Sequence, residues 1–573
     1  MQLKACPKQH TADQDKAVPP EATIRRVKQA LKAFGTSILK QTRRIDTGRL
    51  GIPVYLSLCG PKAAEIMPSR KQMGKGASPE QAEASALMEL VERFSLFSYF
   101  GRRQSIEALT WSEAEHRFGS TLLPVSEILH STHEELKPAQ ATAILDLIRW
   151  QFCPALRVVD GQERHIPLNW FKLLNEYNGS AAGNTVEESL LQGACELFER
   201  HVCAAIERTR PVLPSIDPAS FQDPVLKHLR DCFAQNRITT LIKDFSLGTG
   251  LPTVGIMAYD PATFPRSSEI VFTAGTATSP EKAVIRAFTE IAQLAGDFET
   301  ESRYEPSGLG KYQELDQSAW LQSGPLVPVD SLPDISDRDI HREVQTLALL
   351  LEKRGFALYA VDTTHPELQI PATYALIPGF SFRERTPSAC LGLFTGRILA
   401  EEASYPQAES GFVLLDAIYP RNHFTPFFRG LLDLRHQHLD NAIKHFSRAE
   451  ALQPTPEEQA LVAFYQAYAL TRKQDWTTAC RHLDRAIHLS PGSHAYHNLR
   501  GTARFKLKEY PQAAQDFQQA IDIDNGSAID RANLGICYKH LGQKLKAIEL
   551  LHTGLELDPG LDFARQALDE LLH

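Results

Sequence analysis

Three stretches of this 573-residue sequence set carboxylates at helical spacing among apolar residues. In Ala84 to Phe94, Glu89 and Glu92 stand three apart and share a face, between Leu87, Met88, Leu90, Val91 and Phe94. Glu188, Glu196, Glu199 and Arg200 interrupt a second apolar run of Leu190, Leu191, Ala194, Cys195, Leu197 and Phe198. In the third, Arg286 and Glu290 lie at i and i+4 within Ala283-Val284-Ile285 and Ile291-Ala292. A single pair of acids on a helix is usually a solvated face. A surface helix, however, keeps a wide polar stripe, and these segments are apolar on most sides, so their carboxylates are expected to point into a partly buried cavity. Crowded there, they would repel one another and take up protons unless cations compensated. Mg²⁺ suits the task, being a hard ion that takes oxygen ligands and bridges carboxylates to phosphates. Arg200 and Arg286 add guanidinium groups that bind phosphate oxygens through paired hydrogen bonds. The set predicts a nucleotide site. No GxxxxGK[ST] loop occurs, which excludes an ordinary P-loop NTPase. Gly74-Lys75-Gly76, just ahead of the first helix, either brings backbone N–H groups near phosphate or simply turns the chain.

The elements that must carry these residues read as alternating strands and helices over residues 1 to about 405. Strand candidates include Val54 to Leu58, Thr253 to Tyr259 and Phe356 to Val361, and helical patterns run through Pro79 to Phe97, Val186 to Glu207 and Pro280 to Gly296. From about residue 420 the pattern becomes wholly helical and repeats itself. Ala479, Ala513 and Ala547 follow one another at 34 residues, as do Ala467, Gly501 and Gly535, which is the tetratricopeptide period. An earlier copy holds Gly430 and Ala442. Phe446, Leu483, Phe517 and Leu551 fill one place in the four second helices, and turns are expected at Pro454, Pro491, Asn525 and Pro559. The expected organisation is an α/β (α+β) nucleotide-binding domain over 1–405, a linker over 406–422, and an all-α solenoid over 423–573, with about four repeats and a capping helix from Leu561 to His573.

Composition narrows the function classes. A formal net charge of −8 argues against a broad surface for nucleic-acid backbone. No apolar run approaches the ~18 residues that span a bilayer, and the polar segment Met1 to Lys16 has no signal-like core, so a cytoplasmic protein is expected. The nine cysteines are scattered without a CxxC pair, which disfavours a disulfide framework and a zinc site.

Three blocks, in order, carry a family resemblance. Gly74-Lys75-Gly76-Ala77-Ser78 with Gln81 to Glu89, Glu92 and Arg93 resembles the opening signature of YcaO proteins. Asn178-Gly179-Ser180-Ala181-Ala182-Gly183-Asn184-Thr185, continuing through Glu188 to Glu196-Leu197-Phe198-Glu199-Arg200, is similar to their second block, and Arg286-Ala287-Phe288-Thr289-Glu290 with Gln293 to their third. The resemblance implies an atypical site for ATP and Mg²⁺ in an enzyme that phosphorylates a peptide-backbone amide oxygen before a nucleophile completes the reaction. It assigns Glu89, Glu92, Glu196, Glu199 and Glu290 to Mg²⁺. It assigns Lys16, Thr23, Asn184, Glu188, Arg200 and Arg286 to the nucleotide, and Lys75 of the Gly74-Lys75-Gly76 turn is expected beside them. Glu89, Glu92, Glu199 and Arg286 take the catalytic roles. The end of the chain, Asp569-Glu570-Leu571-Leu572-His573, stands where azoline-forming members usually carry a Pro-rich tail, which argues against heterocycle formation. The architecture is similar to stand-alone members that support methylthiolation of a ribosomal protein, and thioamide formation is a further option.

Two functional classes follow. One is an ATP-dependent enzyme acting on backbone amides of a peptide or protein, with a sulfur-transfer or other accessory protein as partner. The other is an ATP-dependent scaffold or adaptor that binds partners through its repeats and does no substrate chemistry. Solenoids of this kind present a groove to a partner or pack against a second copy, so a homodimer is also expected.

Overall fold

Pro79, Val186 and Pro280 each open a helix shortly after a strand. Strand β1 (Lys71–Lys75) leads into α1 (Pro79–Gly101), β2 (Ser180–Ala182) into α2 (Val186–Thr209), and β3 (Val271–Thr276) into α3 (Pro280–Leu294). The starts follow from local chemistry. Proline fits the first helical turn, where its missing N–H costs nothing. The Thr185 hydroxyl accepts the Glu188 N–H at 3.1 Å, and the Ser78 hydroxyl accepts that of Gln81 at 3.2 Å. The computed structural model describes the chain apart from residues 47–48, 102–106, 267, 295–297, 299–311, 313, 383–388 and 525. It divides into two units, one of Met1–Pro138 with Arg149–Ala389, the other of Ala139–Ile148 with Cys390–His573.

In the first unit, each of β1, β2 and β3 is the terminal strand of a separate sheet. β1 closes an antiparallel sheet with Val54–Cys59 and Leu39–Arg44. β2 ends the sheet ordered Glu107–Leu109, Trp150–Arg157, Tyr359–Asp362, Ala372–Leu376, β2, with Gln162–Pro167 also paired to Trp150–Arg157. β3 ends the sheet that continues through Thr253–Tyr259, Thr239–Asp244 and Ser215–Ile216 to Leu326–Val327, in which only the last pair is parallel. Each helix buries its apolar face in its own core: Leu87, Leu90, Val91 and Phe94 of α1 in one, Leu190, Ala194, Leu197 and Phe198 of α2 in a second, Ala283, Val284, Ala287 and Phe288 of α3 in a third. The three units then close on one another. α1 packs on β1 and β2, α2 on β2 and β3, and α3 on β3 and β1.

Close approach of strand to helix requires small residues. A Cβ on Gly74 would lie 2.0 Å from the Ala86 backbone nitrogen, and one on Gly275 would lie 2.5 Å from that of Ala287. Gly74 is therefore a packing residue of β1. The expected strand from Phe356 begins instead at Tyr359, because Gly355 turns the chain at φ +80° and the Phe356 N–H bonds back to the Leu351 carbonyl at 3.0 Å.

The second unit holds four helical hairpins: Phe424–Arg435 with Leu439–Glu450, Pro456–Arg472 with Trp476–Leu489, His494–Lys506 with Tyr510–Ile523, and Ala528–His540 with Lys544–Leu557, followed by Asp562–Leu572. The small residue of each first helix seats the large one of the second. A Cβ on Gly430 would meet the Phe446 ring at 2.5 Å, one on Gly501 the Phe517 ring at 3.0 Å, and one on Gly535 the Leu551 side chain at 2.9 Å. The turn expected at Asn525 lies outside the described residues. The stretch read as a linker over 406–422 is instead largely helix Tyr405–Ile418, preceded by Leu391–Glu402, and the division between units falls at Ala389 and Cys390. Ala408, Phe412 and Leu415 recur at helical spacing and are fully buried, a periodicity that Pro406 masks although it stands harmlessly in the first turn. Among the described residues, no helix is long and apolar enough to cross a membrane.

The strand-to-helix contact is testable. Gly74→Ala should destabilise the full chain by about 1–3 kcal/mol through overpacking. Gly101→Ala, at a helical position with no atom of the described residues within 4 Å of the added methyl, should stabilise it by about 0.5 kcal/mol. Urea unfolding midpoints of the two variants should therefore move in opposite directions.

Candidate functional site

Counted from Ser78, Thr185 and Ser279, which precede the three helices, the eleventh residue is Glu89, Glu196 and Glu290. The fourteenth is Glu92, Glu199 and Gln293. The three strand–helix units are thus variants of one pattern, and closing them into a ring brings their acids to a common centre. A cavity of about 310 Å³ opens there, lined by Glu89, Glu92, Glu196, Glu199 and Glu290 and by Lys16, Thr23, Lys75, Asn184, Glu188, Arg200 and Arg286. Every residue assigned above to metal or nucleotide therefore borders one space.

Contacts across the ring hold the acids in place. Glu92 of α1 accepts the Ser180 hydroxyl of β2 at 2.6 Å. Glu199 of α2 accepts the Thr276 N–H of β3 at 3.1 Å. Glu290 of α3 pairs with Lys75 of β1. Glu196 accepts the Gly179 N–H at 3.3 Å and lies 3.8 Å from the Arg200 guanidinium. One edge of the cavity is organised by Glu188. Its carboxylate accepts both the Asn184 amide, at 3.1 and 3.2 Å, and the Ala17 N–H at 3.0 Å, and lies 3.6 Å from the Lys16 ammonium. Thr23, on helix Pro20–Lys32, donates its hydroxyl to Asn184 Oδ1 at 3.0 Å.

The electrostatics follow from crowding. Burial pushes the Glu92 carboxyl up to about 8, Glu196 and Glu89 add to the rise, and Arg93 opposes it. Glu89 and Glu199 are raised for the same first reason, opposed by Arg93 and Lys75 in one case and by Arg286, Arg200 and Lys75 in the other. Burial and then Arg286 lower Lys75 to about 8, against the pull of Glu199 and Glu89. Among the described residues, no three acidic, His or Cys side chains converge closely enough to hold an ion by themselves. The donor set still fits Mg²⁺, which commonly takes one or two carboxylates and completes its shell with phosphate oxygens and water.

Further residues border the cavity that motif reading did not assign. Arg93 faces Glu92 at 3.3 Å and stacks over the Tyr177 ring at 4.2 Å. Gln192 accepts the Arg286 guanidinium at 2.6 Å. The shared spacing was the available signal: Arg93 and Arg200 are both fifteenth in their helices' count, and Gln192 and Arg286 both seventh.

Residues 73–381 match the family model described as YcaO cyclodehydratase, ATP- and Mg²⁺-binding, and residues 429–494 and 466–528 match a tetratricopeptide-repeat model. The chain is 27% identical over 377 residues, 63% of its length and 94% of the relative's, to an uncharacterized protein of Methanothermobacter thermautotrophicus. It is 25% identical over 340 residues, 54% of this chain and 57% of the relative's, to the ribosomal protein S12 methylthiotransferase accessory factor YcaO of Escherichia coli. Among solved structures, a heterocyclase in complex with substrate and cofactor shares the fold with a TM-score of 0.54 at 21% identity, covering 67% of this chain and 54% of that one. The chain thus spans a little over half the length of these last two.

The raised carboxyls set a pH dependence. Between their ordinary value of 4.5 and about 8, Glu92 keeps its proton in the folded chain but not in the unfolded one, so the metal-free fold loses stability as pH rises through that window. Lys75 adds nothing there, since it is protonated in both states below about 8. The melting temperature in chelator should fall from pH 5 to pH 8, and Glu92→Gln should flatten the profile. Mg²⁺ ligated by Glu92 would displace the retained proton, and calorimetric titration with nucleotide present should then show proton release and an affinity that grows with pH.

Proposed function

The chain belongs to the YcaO family, which binds ATP and Mg²⁺, and on that premise we propose that it activates a peptide-backbone amide of a peptide or protein by ATP-dependent phosphorylation of the amide oxygen. The observation that carries this reading is the ring of five carboxylates with Arg200, Arg286 and Lys75 around one cavity. When bound, ATP supplies the phosphoryl group and Mg²⁺ offsets the charge on its oxygens. Glu89, Glu92, Glu196, Glu199 and Glu290 hold the metal. Lys16, Thr23, Lys75, Asn184, Glu188, Arg200 and Arg286 would hold the nucleotide, the two guanidinium groups supplying donors suited to phosphate oxygens. Gln192 fixes one guanidinium nitrogen of Arg286, which limits the reorganisation left to occur during reaction.

The repeat array recruits the substrate protein or an accessory protein, or pairs with a second copy of the chain. Two reaction classes fit this arrangement, support of methylthiolation on a ribosomal protein and thioamide formation. Thioamide formation draws directly on an activated amide oxygen, which leaves as phosphate when sulfur replaces it.

Glu89→Gln and Glu199→Gln should each lower ATP turnover by about a hundredfold or more while leaving the circular dichroism spectrum unchanged. With its substrate present, the unaltered chain should consume ATP faster and leave a mass change on the substrate. Nucleotide binding with neither effect, across candidate substrates, would favour the scaffold. Full turnover in either variant would overturn the assignment of the acids.

A further inference from the structure

The segment from Lys4 to Ala17 crosses the leading ends of all three acid-bearing helices. Toward α2, the Lys4 N–H bonds Glu187 at 2.6 Å, Cys6 Sγ lies 3.3 Å from the Thr185 hydroxyl, and the Ala17 N–H bonds Glu188 at 3.0 Å. Toward α3, Lys282 donates to the carbonyls of Thr11 and Ala12 at 3.0 and 2.8 Å. Toward α1, Asp13 accepts the Ala77 N–H at 3.3 Å. The segment also reaches helix α4 (Ile340–Glu352), where Asp339 accepts the Cys6 N–H at 2.8 Å. Its last residues place Gln14 and Lys16 on the cavity wall.

One buried cation holds this strap down. Lys8, whose side chain is 6% exposed, places its ammonium 2.6 Å from both Asp15 of the strap and Glu343 of α4, whose side chain is wholly buried. Glu343 also accepts the Thr278 hydroxyl at 2.7 Å and the Asp337 N–H at 3.1 Å, so the anchor connects the strap to the turn between β3 and α3. A buried lysine costs free energy to desolvate and persists only where its partners are fixed. Asp15 adjoins Lys16 in sequence, so fixing the Asp15 carboxylate fixes the backbone from which Lys16 extends. The backbone ties at Lys4, Cys6, Thr11, Ala12 and Ala17 explain why the strap lies against the ring. The Lys8 anchor adds control over where its final residues sit.

We propose that Lys8 and Asp15 are positioning residues for the nucleotide: the Lys8–Asp15–Glu343 anchor clasps the strap across the closed ring and so presents Lys16 to the phosphates of the bound nucleotide. The inference rests on the nucleotide reading of the cavity. It makes a prediction opposite in sign to simple electrostatics. Asp15→Asn removes a negative charge near an anionic ligand, which by charge alone should tighten binding. If the carboxylate acts through Lys16, binding weakens instead.

The test is equilibrium titration of the full chain with Mg²⁺ and the non-hydrolysable analogue AMPPNP. Asp15→Asn is expected to weaken binding about tenfold, Lys16→Gln at least as much, and the double variant no more than Lys16→Gln alone, since residues acting through one contact are not additive. Lys8→Met with Glu343→Gln replaces the buried pair by neutral groups of similar shape, which preserves folding better than removing one partner. This second variant should weaken binding comparably at an unchanged melting temperature. Unchanged or tighter binding by Asp15→Asn, or a full additional loss on top of Lys16→Gln, would overturn the positioning role alone. If the unaltered chain does not bind the analogue, the nucleotide reading and the clasp fall together.

Discussion

Like charges brought together in a protein interior must be neutralised, and this constraint shapes the first unit. Five glutamates border a single cavity, and burial holds Glu89, Glu92 and Glu199 above the ordinary carboxylate range. The protein compensates in part with its own cations. Lys75 pairs with Glu290, Arg93 faces Glu92, and Arg286 and Arg200 oppose the rise at Glu199. Retained protons cover part of the remainder, and a divalent ion together with a polyphosphate is the ligand pair whose charges and donor preferences fit such a wall.

Holding acids against their repulsion requires a rigid frame, and the frame is one pattern used three times. A strand at the end of a sheet, a short turn and a helix recur, each helix sealing its apolar side against its own sheet. The acids in the middle of each helix then face the centre of the ring. Small residues at the eighth place of each helix, Ala86, Gly193 and Ala287, let the supporting backbone approach closely. The contacts of Glu92, Glu199 and Glu290 each run from one unit to the strand of the next. The third unit departs from the first two by carrying Gln293 in place of a glutamate, which limits the charge that the cavity must neutralise.

The helical unit solves a different problem by a similar device. Each hairpin seats a large apolar side chain over a glycine or alanine, as Phe446 sits over Gly430 and Phe517 over Gly501. Neighbouring hairpins bury what a lone hairpin would expose, and for that reason such arrays grow by repetition.

The sequence by itself marked residues that line the cavity and the elements that carry them. The acid spacing, the three motif blocks and the 34-residue period were all legible, because helical periodicity and repeat length are local properties of the chain. The helix Tyr405–Ile418 was not, since a proline near its start reads as a break unless the burial of Ala408, Phe412 and Leu415 is seen. Only the tertiary structure decided that three helices from distant parts of the chain face one cavity, that Gly74 serves packing, and that Lys8 is anchored by Glu343 across 335 positions. Those outcomes depend on closure of the ring and on burial, and no local spacing encodes either.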